Sequence, residues 1–118
     1  MILIVTADWF REKILTESLG EMAVQICRDA YSALDCLEQA KVIFLDADLP
    51  AVNGVAFVHE LASYADTAKI PIVLLADQMP EIDFAVYNID SVLTVRDLVP
   101  DKLLQMARRL TEEADARR

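Results

Sequence analysis

A chain of 118 residues of which 55% are apolar holds enough nonpolar side chain for one buried core, and this excludes an intrinsically disordered sequence. Its 20 acidic and 11 basic residues give a net charge of -9, which excludes the clustered Lys and Arg surface needed to bind nucleic-acid phosphates. No apolar run approaches the ~20 residues of a membrane-spanning helix, so the expectation is one cytoplasmic domain over residues 1–118 with no membrane and no direct nucleic-acid contact.

The opening Ile2–Val5 is apolar but short and lacks a basic leader, so it reads as a strand and not as a signal peptide. Trp9–Leu19 carries apolar residues at three- and four-residue spacing, which predicts a helix, with Gly20 as its left-handed cap. Ala23–Cys27 predicts a second strand, and Asp29 is placed to cap a helix over Tyr31–Gln39. Val42–Leu45 predicts the third strand, and Val55–Tyr64 the third helix. Ile70–Leu75 predicts a fourth strand, after which Glu81–Val86 reads as a short helix ahead of a turn at Asn88. Ser91–Val95 predicts the fifth strand, and Pro100–Ala114 a last helix with Pro in its first turn and Asp101 favourable to its dipole. Strands that are apolar throughout are buried on both faces, so this (βα)5 order implies an α/β fold with a parallel sheet, helices on both sides and right-handed crossovers.

Gly20 and Gly54 are the two glycines of the chain, so neither a dinucleotide fingerprint nor a phosphate-binding P-loop can be written anywhere. Cys27 and Cys36 make neither a disulfide framework nor a metal-ligand cluster and read as two reduced, largely buried thiols. His59, the single histidine, falls near the solvent side of its helix, and no serine stands in a nucleophile-elbow context. Trp9 and Phe10 read as helix packing, one toward the core and the other toward the mouth of any crevice above the sheet, where Trp9 can act as an apolar lid.

The third strand runs from Val42 to Leu45 and ends in Asp46, with Pro50 four residues later and Gly54 eight residues later. This run resembles the third strand and following loop of response-regulator receiver domains, in which the Asp accepts a phosphoryl group. The resemblance covers the whole chain in element order and implies a flavodoxin-like doubly wound five-stranded sheet of order 2-1-3-4-5. It also implies that Asp46 holds the phosphoacceptor position.

The other positions depart from that family. Receivers carry two acidic residues after the first strand that help hold Mg²⁺; here Thr6 and Ala7 stand in their places and Asp8 falls one residue beyond. Asp46 with Asp8 is the remaining candidate Mg²⁺ pair, with Asp48 as an outer carboxylate; the competing reading makes Asp8 a helix cap and Asp48 merely solvated. The hydroxyl residue expected after the fourth strand is Ala76, which has no donor. The Lys expected after the fifth strand falls on Val95 or Arg96, according to the register chosen, with an outward Arg96 paired to Asp97 or another surface acid the favoured arrangement. The switch aromatic is replaced by Val92 or Leu93.

Such a pattern resembles an atypical receiver, or pseudo-receiver: a non-enzymatic, cofactor-free module of two-component-type signalling acting through a protein partner or homodimer. The expected surface is the face made by the helix before the fifth strand, that strand and the last helix, through Ile82, Phe84, Tyr87 and Val92. The first alternative is a phosphorylatable receiver with a rearranged Mg²⁺ site, and the second a small flavodoxin-fold enzyme.

Overall fold

In the computed structural model, which describes residues 1–117, the apolar runs form β1 (Ile2–Val5), β2 (Val24–Cys27), β3 (Val42–Asp46), β4 (Ile72–Leu75) and β5 (Ile89–Leu93). All four strand pairings are parallel and the order is β2-β1-β3-β4-β5, as the α/β reading requires. Every residue of β1, β3 and β4 is buried, because helices cover both faces there.

Alternation along the strands sorts those side chains into two cores. Leu3, Val5, Ile43, Leu45, Ile72 and Leu74 face α2 (Ala30–Leu34) and α3 (Gly54–Ala62), meeting Ala30, Ala33, Phe57, Val58 and Leu61. Ile2, Ile4, Val42, Phe44, Val73 and Leu75 face α1 (Trp9–Ser18) and α5 (Pro100–Ala116), meeting Leu15, Leu103, Ala107 and Leu110. Asp8, Asp29 and Asn53 cap α1, α2 and α3 by accepting from a backbone N–H three residues on. None of the described helices is long and apolar enough to cross a membrane.

Four expectations change. The helix over Glu81–Val86 does not form: the β4–β5 crossover is made of turns, and a one-turn helix, α4 (Ala65–Ala68), lies before β4 instead. The Asp83 carboxylate accepts from Ala85 N at 3.0 Å, a local bond that competes with helical pairing in a segment too short to nucleate on its own. Ile82, Phe84 and Val86 also repeat at two residues, not at helical spacing.

Gly20 is no left-handed cap, since neither glycine has positive φ; α1 ends at Ser18 and is capped by Leu19, whose N–H reaches Leu15 O at 2.9 Å. The second helix stops at Leu34 and resumes as a 3-10 turn over Leu37–Gln39, because Ser32 and Asp35 are weak helix formers. The fifth strand spans Ile89–Leu93, earlier than expected, because Ile89 and Val92 pack on the core while exposed Asp90 pairs with Arg109 at 2.9 Å. A capping box between Thr94 and Asp97 then turns the chain before Val95 can extend the strand.

Candidate functional site

β1 and β3 are neighbours, and their carboxyl ends bring Thr6 and Asp46 together at the rim of the sheet. Open α/β sheets form their crevices at this end of the strands. Here the crevice is shallow, ≈ 400 Å³, and is lined by Ala7, Asp8, Arg11, Asp46, Asp48, Pro50 and Asp77. A larger hollow of ≈ 590 Å³ lies at the opposite end, beside Lys41, Ile70 and Pro71, and its Lys41 is paired to Asp115 at 2.6 Å.

Asp46 is 2% exposed, and three groups hold its two oxygens. The Thr6 hydroxyl donates to Oδ2 at 2.7 Å. Oδ1 accepts from Arg11 Nη1 at 2.6 Å and from the Asp48 backbone N–H at 2.9 Å. The second guanidinium arm donates to Asp77 Oδ1 at 2.5 Å, so Arg11 bridges the ends of β3 and β4. A buried carboxylate is stable only when its charge and lone pairs are met, and these three donors do so.

Arg11 is 8% exposed, an unusual place for a guanidinium. Burial alone would pull its pKa down, but the Asp46 charge and hydrogen bond, joined by Asp77 and Asp8, outweigh that and leave it above the ordinary arginine value. Its position is fixed locally: Asp8 Oδ1 accepts from Arg11 N at 3.0 Å, and Asp8 N donates to Thr6 Oγ1 at 3.1 Å. Asp8 therefore acts as the α1 cap. Among the described residues, no three His, Cys, Asp or Glu side chains gather as a metal-ligand set.

The loop after β3 closes the floor. Val52 N donates to Pro50 O at 2.8 Å around Ala51, whose φ of 65° is the left-handed conformation. Gly54 N then reaches Ala47 O at 2.9 Å, so close that a Cβ on Gly54 would lie 2.2 Å from Asp46 O. Glycine is needed here for clearance, since its φ is not positive.

The expected site residues divide into two groups. Thr6, Ala7, Asp8, Asp46 and Asp48 come together, and Ala76 is buried at the end of β4, its N–H bonded to Leu93 O at 3.0 Å. Val95 and Arg96 do not join them. Both are exposed in a 3-10 turn beyond β5, and Asp97 is bonded to Thr94 instead of pairing with Arg96. Trp9 is no lid and does not pack inward: it is 71% exposed, edge-on to Phe10 at 6.4 Å, with Phe10 itself 47% exposed.

Of the proposed contact residues, Ile82, Tyr87 and Val92 are half-buried against the core and Phe84 is exposed. The Tyr87 hydroxyl meets His59 Nδ1, tying the crossover to α3. Arg11 and Asp77 fall in no motif of the sequence, so neither stands among the expected site residues. A signal for Arg11 was present, because a cation in the first turn of a helix opposes the dipole and so implies a partner elsewhere.

No protein-family model and no curated relative matches this chain. Solved structures do. A sensor protein from Polaromonas sp. JS666 superposes with a TM-score of 0.83 at 19% identity, over 96% of each chain. The signal receiver domain of a histidine kinase from Syntrophus aciditrophicus gives 0.78 at 23% identity, over 95% of this chain and 89% of that one. The chemotaxis protein CheY4 of Vibrio cholerae gives 0.77 at 20% identity, over 92% of this chain and 96% of that one. The chain thus has the fold of response-regulator receiver domains, a flavodoxin-like α/β sheet of order 2-1-3-4-5 with an arginine seated on its central aspartate.

Proposed function

We propose that this domain is a cytoplasmic, non-enzymatic receiver-like module of two-component-type signalling that works through a protein partner or a second copy, without accepting a phosphoryl group. The observation that carries this reading is the Arg11–Asp46 pair. Phosphoryl transfer to an Asp needs a free carboxylate oxygen and cations to offset charge on the phosphoryl group. Asp46 Oδ1 already holds a guanidinium at 2.6 Å and Oδ2 a hydroxyl at 2.7 Å.

The residues present do not fit Mg²⁺. A hard dication wants several oxygen ligands in octahedral array, and beside Asp46 Oδ1 it would meet a fixed positive charge while Asp8 is engaged as a cap. Ala76 offers no hydroxyl, and Val95 and Arg96 lie outside the crevice. Arg11 thus acts as a built-in counter-ion that keeps the receiver fold in one state.

Contact with a partner is assigned to β5, α5 and the turn segment before β5, where Phe84 is 39% and Val86 66% exposed beside half-buried Ile82, Tyr87 and Val92. A net charge of -9 disfavours nucleic acid as that partner. The test is intact mass and amide spectra after incubation with Mg²⁺ and acetyl phosphate or beryllofluoride. No adduct and no shift around Asp46 is expected; a stoichiometric adduct lost in Asp46→Asn would overturn the reading.

A further inference from the structure

Cys27 closes β2 and Cys36 follows α2, nine positions on, and their Sγ atoms lie 3.8 Å apart. Both thiols are free. Two cysteines in van der Waals contact across a short loop need only a modest approach to reach the S–S bond length of about 2.05 Å. The segment that must move is suited to it. α2 is five residues long, and Cys36 sits at the break between it and the 3-10 turn, its Sγ held by a long contact of 3.8 Å to Ser32 O.

We propose that Cys27 and Cys36 form a reversible dithiol–disulfide site that exchanges with a small-molecule disulfide such as oxidised glutathione. The inference rests on this pair alone and is independent of the function assigned to Asp46.

The two sulfurs have different roles because their surroundings differ. Cys36 is half-buried and meets solvent, whereas Cys27 is 5% exposed. Burial pushes the Cys27 thiol up to about 11, assisted by the hydrogen bond to Cys36 and by the Cys36, Asp29 and Asp35 charges, so it stays protonated near neutral pH. Cys36 therefore attacks first. Its thiolate forms a bond to one sulfur of oxidised glutathione, the glutathione S–S bond breaks, and one glutathione thiolate leaves and takes up a proton. Cys27 then loses its proton to solvent and attacks Cys36 sulfur, expelling the second glutathione. The two protein thiols are oxidised by two electrons and one glutathione disulfide becomes two glutathione thiols.

Oxidation at this place acts next to the candidate site. Cys27 O accepts from Thr6 N at 3.0 Å, and the Thr6 hydroxyl in turn donates to Asp46. Arg28, the next residue, pairs with Glu12 of α1 at 2.8 Å. The disulfide would staple α2 to the edge strand at this junction.

The experiment equilibrates the full chain, native, with reduced and oxidised glutathione at a series of ratios, quenches by alkylation and reads intact mass. The expected product is a monomer two hydrogen atoms lighter that takes no alkylating label, with Tm shifted upward and restored on reduction. Cys27→Ala should accumulate one glutathione on Cys36, and Cys36→Ala should accumulate no intramolecular product. Two alkylated thiols at every ratio, a mixed disulfide that persists in the unaltered chain, or a crosslink between two copies would each overturn the proposal.

Discussion

Arg11 Nη1 lies 2.6 Å from Asp46 Oδ1, and both side chains are almost wholly withdrawn from solvent. Removing one member of such a pair strands the other, at a cost of about 3–5 kcal/mol. Arg11→Ala should therefore lower unfolding free energy by about that amount in denaturant titrations. Adding Asp46→Asn should return part of the loss, because the two changes share one interaction. An additive double variant would show that the pair is not coupled.

Asp77 holds the other arm of Arg11, but its side chain is 73% exposed. An exposed ion pair contributes roughly 0–1 kcal/mol, so Asp77→Ala should be nearly neutral where Arg11→Ala is not. Equal losses would mean that Asp77, and not Asp46, anchors the guanidinium.

The strands of this chain were legible before the structure because four-residue apolar runs such as Ile2–Val5 and Ile72–Leu75 have no other home than a sheet buried on both faces. Thr6, Asp8 and Asp46 were legible as neighbours because each closes or follows a parallel strand. Arg11 was not. Its contact with Asp46 spans 35 positions and depends on how α1 leans over the sheet, which no local periodicity reports. Glu81–Val86 misled for a related reason: apolar content suggested a helix, while Asp83 supplied a backbone bond that a spacing rule does not count.

The β3–α3 loop contains two opposite glycine effects. Gly54→Ala should destabilise by about 1–3 kcal/mol, since its Cβ would press on Asp46 O and on Ala47 Cα at 2.7 Å, both backbone atoms. Ala51→Gly should stabilise by about 1 kcal/mol, because φ of 65° strains a residue with a Cβ. Thermal unfolding of the two variants checks both signs, and a destabilised Ala51→Gly would contradict the strain argument.

Cys27 predicts a loss of stability in alkali. Its folded pKa of about 11 lies above the ordinary thiol value of 9.0, chiefly because burial disfavours the thiolate. A raised folded pKa gives stability that is fully present below the unfolded pKa and is lost as pH rises through the folded one, so the window runs from about 9 to about 11. Denaturant titrations under reducing conditions across that window should show a decline that Cys27→Ala removes.

At the acid end the signs reverse. The Ser32 backbone N–H, with its hydroxyl second, holds Asp29 below the usual carboxylate value, and the Thr94 backbone and hydroxyl do the same for Asp97. Lowered folded values give stability that is present above the unfolded pKa and lost as pH falls through the folded one. Amides of α2 and of the Val95–Asp97 turn should therefore loosen first as pH drops below about 4, an order that chemical shifts can follow residue by residue.

The crossover between Leu75 and Ile89 has turns where a helix would lie, and its anchors are the half-buried Ile82 and Tyr87. Because no helical ladder must be broken to open it, amide hydrogen exchange there should proceed at low free energy, independently of global unfolding. Rearrangement of this segment would leave β1, β3 and β4, buried along their whole length, as an undisturbed frame behind it.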